Sequence, residues 1–95
     1  METVKRGNLL MNKVFTDIAW NHYLYWQMED KRILKKINEL IRDIERNWNT
    51  GLGKPEPLKH ELSGYWSRRI TDEHRLIYSI EDNKINVISC RNHYK

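Results

Sequence analysis

Between Lys31 and Arg46, Ile33, Ile37, Leu40, Ile41 and Ile44 recur at three- and four-residue steps, with lysine, arginine and glutamate filling most positions between them. At 3.6 residues per turn this spacing lines the apolar side chains along one stripe, and Asp30 in front can cap the first turn. The pattern predicts a helix from about Lys31 to Arg46. Upstream, Thr16 and Asp17 offer a second helix start, and Ile18, Trp20, Tyr23, Leu24 and Trp26 spread over several sides of a segment running to about Glu29. A helix aromatic on more than one side is expected to meet more than one surface. Before it, Asn12-Lys13-Val14-Phe15-Thr16 alternates well enough for a short strand.

After Arg46 the pattern changes. Asn47, Asn49, Thr50, Gly51, Gly53, Pro55 and Pro57 form a loop that can continue neither a helix nor a central strand. Strand-like runs follow near Lys59 to Leu62, Trp66 to Thr71, His74 to Ile80 and Lys84 to Arg91, separated by polar turns. The predicted order is β-α-α-β-β-β-β. It implies an α+β fold, a twisted and mainly antiparallel sheet with the two N-terminal helices packed on one face. Residues 11–95 read as a single domain, and residues 1–10 as a flexible leader or upstream extension.

Composition narrows the partners. A chain of 95 residues holds one modest core, and a net charge of +4 with a pI near 9.3 favours polyanionic partners. Lys and Arg number 17 against 13 Asp and Glu, so the surface is mixed and not a basic tail. The single cysteine, Cys90, cannot form an internal disulfide and fits a reducing compartment. A cytoplasmic protein with no membrane span is expected.

The second half also carries a set of residues suited to one chemistry. Cutting RNA through its own 2′-hydroxyl without a metal needs a base, a cation for the crowded phosphorane and an acid for the departing 5′-oxygen. Glu56, held between Pro55 and Pro57, is the candidate base. Arg75 offers a permanently charged planar fork for the phosphate. His93 can carry a proton near neutral pH and is the candidate acid. Lys54, Lys59, Arg68 and Arg69 would supply a surrounding RNA-binding surface. Arg68 and Arg69 are adjacent in a strand and point to opposite faces, so only one can aim at a given site, and Arg69 is placed nearer the reaction. On the residues alone, a solvated loop glutamate and a terminal histidine without a chemical role fit as well. The histidines and Cys90 lack the spacing of a metal site, and no metal or cofactor is expected.

Three stretches carry a further signal: Lys54-Pro55-Glu56-Pro57-Leu58-Lys59, Trp66-Ser67-Arg68-Arg69-Ile70 and Glu73-His74-Arg75-Leu76, with His93-Tyr94 near the end. In order and wording they resemble the Txe/YoeB-type toxins of the RelE/ParE superfamily, from about Met11 to Tyr94. The resemblance implies a RelE-like fold and a ribosome-dependent endoribonuclease that cuts mRNA. It implies Glu56 as base and Tyr94 as a ring that stacks on or orients a nucleotide. The implied partners are a YefM-type antitoxin, the ribosome with its mRNA, and a second copy of the chain, with Trp20 and Trp26 expected at the homodimer contact. Two departures stand out: Lys95 follows the tyrosine at which such toxins usually end, and Asn47-Trp48-Asn49-Thr50 replaces a stretch that commonly holds proline and phenylalanine. The rival within the superfamily is a non-catalytic ParE-like toxin binding a DNA topoisomerase. A rival outside it is an RNA-binding module without turnover.

Overall fold

The computed structural model describes residues 11–92. Strand β1 (Asn12–Phe15) leads into helix α1 (Asp17–Glu29) and helix α2 (Lys31–Arg46); strands β2 (Glu56–Pro57), β3 (Trp66–Arg69), β4 (Arg75–Glu81) and β5 (Lys84–Ser89) follow. They form one sheet in the order β1-β5-β4-β3-β2. All neighbours are antiparallel except β1, which runs parallel to β5 with Asn12 opposite Lys84 and Phe15 opposite Val87. The α+β expectation is met, with the helical pair on one face. The leader reading of residues 1–10 lies outside the described residues.

Both helices end where their caps dictate. Thr16 is extended at φ −67° and ψ 165°, and its hydroxyl accepts the Ala19 N–H at 3.0 Å. Asp30 serves twice: its own N–H donates to the Trp26 carbonyl at 2.9 Å to close α1, and its carboxylate accepts the Arg32 N–H at 3.0 Å to open α2. One extended residue therefore turns the corner between the helices. The predicted stripe on α2 is the buried one, with Ile37, Leu40 and Ile44 without exposure. It packs with Ala19 and Trp26 of α1 over Leu76, Tyr78, Ile85 and Val87 of the sheet. Each fully buried leucine or isoleucine there stabilises the fold by about 1.5–3 kcal/mol relative to exposure.

Two expectations need correction. Lys59 to Leu62 is not a strand: His60 has φ 60°, outside the extended region, and the segment closes a 3-10 turn over His60–Leu62. The Leu62 and Ser63 amides donate to the Lys59 and His60 carbonyls at 3.1 and 3.0 Å. The pairing comes earlier, at Glu56 and Pro57, on the outer edge of the sheet where a residue without an N–H is tolerated. Trp26, expected at a subunit contact, is a core residue only 5% exposed. Trp20 does remain 47% exposed, packed beside Phe15 and stacked on Tyr23.

Candidate functional site

Register decides which side chains meet. In β4, Leu76 and Tyr78 face the helices, and their partners Arg68 and Trp66 in β3 face the same way. Ser67, Arg69, Arg75 and Ile77 therefore face the other side, and the pairing of Glu56 with Ser67 adds Glu56 to them. Three expected site residues, Glu56, Arg69 and Arg75, thus share the sheet face turned away from the helices. From strand spacing and rise, the Cα of Glu56 lies about 8 Å from that of Arg69 and about 12 Å from that of Arg75. Long side chains on such a frame can converge on one phosphodiester. Ser67 and Ile77, in the row of Glu56, are 6% and 1% exposed.

Arg75 is half-held by protein. Its Nη1 donates to the carbonyls of Thr71, Asp72 and His74 at 3.0, 3.3 and 3.4 Å, so the turn before β4 fixes one side of the guanidinium. Its remaining nitrogens have no protein partner among the described residues. Lys54, Lys59 and Arg69 are exposed. Lys54 sits at φ 51° just after Gly53, whose carbonyl accepts the Arg69 N–H at 2.7 Å. Gly53 itself has φ 78°, and a Cβ there would lie 3.0 Å from the Arg69 carbonyl oxygen and 2.9 Å from Leu40 Cδ2. Only glycine allows the loop to lie this close against β3, which brings the following residues to the sheet edge.

Arg68 corrects the expectation that it joins the RNA-binding surface. Its side chain has no exposure, and all five N–H groups are used internally. Nη1 donates to Asp43 Oδ2 at 2.7 Å and to the Leu52 carbonyl at 3.0 Å. Nη2 donates to the carbonyls of Asn47 and of Thr50, the latter at 2.7 Å. Nε donates to the Tyr78 hydroxyl at 3.1 Å, which in turn donates to the Trp48 carbonyl at 2.7 Å. A buried arginine thus collects three carbonyls of the loop between α2 and β2, those of Asn47, Thr50 and Leu52, and reaches a fourth, that of Trp48, through the Tyr78 hydroxyl. Asp43 also accepts the Leu52 N–H at 3.0 Å. Burial alone would raise the Asp43 carboxyl, but hydrogen bonds from Arg68, Leu52 and Asn47, with the Arg68 charge, outweigh it and hold it below the ordinary range.

The other end of the face is set by the segment after β5. The Cys90 N–H donates to His22 Nδ1 at 3.2 Å, and the Cys90 carbonyl accepts Trp26 Nε1–H at 2.9 Å. The Arg91 guanidinium lies 3.7 Å over the centre of the Tyr25 ring. The Asn92 N–H donates to His74 Nδ1 at 2.8 Å, and the Asn92 carbonyl accepts the Arg75 N–H at 3.1 Å. Sequence reading gave His22 and Tyr25 no role at this segment and did not single out Arg91. The contacts join positions up to 68 residues apart, which no local pattern signals. His93 and Tyr94, the proposed acid and stacking ring, lie outside the described residues. Among the described residues no group of three or more histidine, cysteine, aspartate or glutamate side chains is placed to hold a metal, and no helix is long and apolar enough to cross a membrane.

A helical pair backing a mixed sheet whose opposite side carries a carboxylate and two arginines defines a small α+β protein with charged groups on the face away from the helices. A family model described as the YoeB-like toxin of bacterial type II toxin-antitoxin systems matches residues 15–94, and the chain belongs to this family. Toxin YoeB of Escherichia coli (strain K12) is 57% identical over 84 residues, which are 88% of this chain and 100% of that one. Among solved structures, a YoeB/ParE toxin from Agrobacterium tumefaciens superposes with a TM-score of 0.87 at 50% identity, covering 88% of this chain and 100% of that one. The Staphylococcus aureus YoeB has been solved as a dimer (TM-score 0.84) and in a heterotetrameric YoeB-YefM toxin-antitoxin complex (TM-score 0.83). Both match at 50% identity over 88% of this chain and 98% of the other.

Proposed function

We propose that this toxin is a metal-independent endoribonuclease that cuts mRNA at the ribosomal A site and so stops translation. The observation that carries the reading is the shared face of Glu56, Arg69 and Arg75, opposite the helices. Glu56 removes the 2′-hydroxyl proton, the 2′-oxygen forms a bond to phosphorus, and the bond from phosphorus to the 5′-oxygen breaks. Arg75, with one side held by the turn and the other free for phosphate oxygens, offsets the charge of the phosphorane, and Arg69 assists it. His93 donates the proton that leaves with the 5′-oxygen, and Tyr94 supports the adjacent base by stacking. Lys54 and Lys59 bind the flanking backbone. The products are a 2′,3′-cyclic phosphate and a 5′-hydroxyl.

A YefM-type antitoxin is the proposed neutralising partner, and a second copy of the chain the proposed companion, since the Staphylococcus aureus relative forms both kinds of assembly. The test is end mapping of a short mRNA incubated with the purified protein, with and without programmed ribosomes, beside Glu56→Ala and His93→Ala. Cleavage inside the A-site codon that needs ribosomes and disappears in both variants is expected. Intact mRNA under every condition would overturn the reading, and inhibition of a DNA topoisomerase would replace it with the ParE-like one.

A further inference from the structure

We infer that His22 and His74 are positioning residues, two neutral imidazoles whose Nδ1 atoms hold the backbone of Cys90–Asn92 and so set where the chain enters the His93-Tyr94 pair. The inference rests on the endoribonuclease reading above and gives it a part that the proposed reacting groups do not supply.

The segment from Cys90 to Asn92 is outside regular structure, yet most of its backbone polar groups are taken up. Cys90 is held at both ends of its peptide, by His22 on one side and the Trp26 indole on the other. Cys90 Sγ lies 3.7 Å from the Ala19 carbonyl oxygen. Asn92 is held likewise, its N–H by His74 and its carbonyl by the Arg75 amide. Asn92 has φ 66°, a left-handed conformation that redirects the chain as it leaves this clamp and that asparagine tolerates better than most residues. The Arg75 amide that closes the clamp belongs to the same residue whose guanidinium is proposed to bind phosphate. The clamp therefore ties the backbone of Cys90–Asn92 and the arginine to one frame.

Two features make the histidines more than packing. Each Nδ1 faces a backbone N–H, so each must be an acceptor with its proton on Nε2. An imidazolium in either place would set donor against donor. The His74 ring is fixed edge-on against Trp26, centroids 4.8 Å apart, which aims Nδ1 at the chain. The charged and titratable groups around the pair are Glu73, whose Oε1 is 3.8 Å from His74 Nε2, then Arg75 from β4 and Arg91 after β5. The two histidines also act on each other. Burial lowers the pKa of His22 most, the Arg91 charge lowers it further, and a proton on His74 would act in the same direction, in keeping with a neutral acceptor.

The test separates the acceptor from the ring. His74→Phe keeps a ring against Trp26 and removes Nδ1, whereas His74→Asn puts an amide oxygen near the position of Nδ1. Single-turnover cleavage on programmed ribosomes should fall about 100-fold in His74→Phe with the apparent KM little changed, because a displacement of about 1 Å at a reacting group has that order of effect. His74→Asn should recover most of the rate. Equal rates in His74→Phe and the unaltered protein would overturn the inference. A structural readout needs no RNA: nitrogen NMR of the unaltered protein should find His74 and His22 as Nε2–H tautomers, with slow hydrogen exchange at the Asn92 and Cys90 amides. A proton on either Nδ1 at neutral pH would also overturn it. If the unaltered protein shows both tautomers and protected amides but cuts no RNA, the clamp stands and the endoribonuclease reading fails.

Discussion

Replacing Arg68 by methionine should unfold the loop that carries Glu56 before it affects anything else. Methionine approximates the buried stem but removes a guanidinium whose five N–H groups bind Asp43, Tyr78 and the carbonyls of Asn47, Thr50 and Leu52. Asp43 is 17% exposed in its side chain and keeps the Leu52 N–H, so water recovers part of its solvation. The loop carbonyls have less recourse. Breaking a buried ion pair by deleting one partner costs about 3–5 kcal/mol, a large share of the roughly 5–15 kcal/mol that holds a small domain together. At about 4 °C or more per kcal/mol for this chain length, Tm should fall by at least about 12 °C. Arg68→Lys should be almost as damaging, because an ammonium brings three donors on a point charge where five in a plane are used. The assay is thermal unfolding followed by circular dichroism, with Asp43→Asn and the Arg68→Met/Asp43→Asn pair to complete a cycle. The pair should be less destabilised than the sum of the singles, since the partner charge left unpaired is gone. A Tm for Arg68→Met within about 3 °C of the unaltered protein would refute the reasoning. Such a result combined with lost RNA binding would restore Arg68 to the surface role its sequence suggested.

Two further outcomes follow from protonation. Cys90 is buried and burial pushes its thiol up to about 12, so a thiol reagent at pH 8 should label the native protein far more slowly than the unfolded chain; equal rates would contradict the packing against Ala19. Stability should decline on acidification in two stages. His22 has a folded pKa below its ordinary 6.5, so the unfolded chain binds the extra proton first, and stability held in full above 6.5 is lost as pH falls toward the folded value. Asp43 and Glu45 are held below their ordinary carboxylate values, and what they add disappears as pH falls from the ordinary carboxylate range through their lower folded values. Urea titrations from pH 7.5 to 3 should show both stages, and His22→Asn should lack the first.

The helices were legible because their signals are local. Thr16 and Asp30 cap where they stand in the chain, and the stripe from Ile33 to Ile44 needs only its own period to be read. The edge strand at Glu56–Pro57 was hidden by its prolines, which argue against a strand everywhere except at the margin it occupies. Arg68 shows a different limit. Its phase with Trp66 and Ile70 marks the helix side of the sheet, but a charged residue in that phase reads as solvated unless its partners are known, and they lie 10 to 25 residues away. The alternation of Arg68 and Arg69 was correct and put Arg69 on the face with Glu56 and Arg75. What alternation could not give was which of the two faces was already filled.

The strand order also governs when the toxin comes into being. β5 is the last strand of the described chain but lies between β1 and β4, so both neighbours keep a bare edge until it is made. Its pairing with β1 joins Asn12 to Lys84 across almost the whole chain, a slow, long-range closure. A ribosome making this protein therefore carries an incomplete sheet until β5 has been made, and the clamp on Cys90–Asn92 follows it. Synthesis itself imposes a delay between the appearance of the polypeptide and the appearance of a finished sheet, and a protein bound during that interval would meet a toxin whose fold is not yet closed.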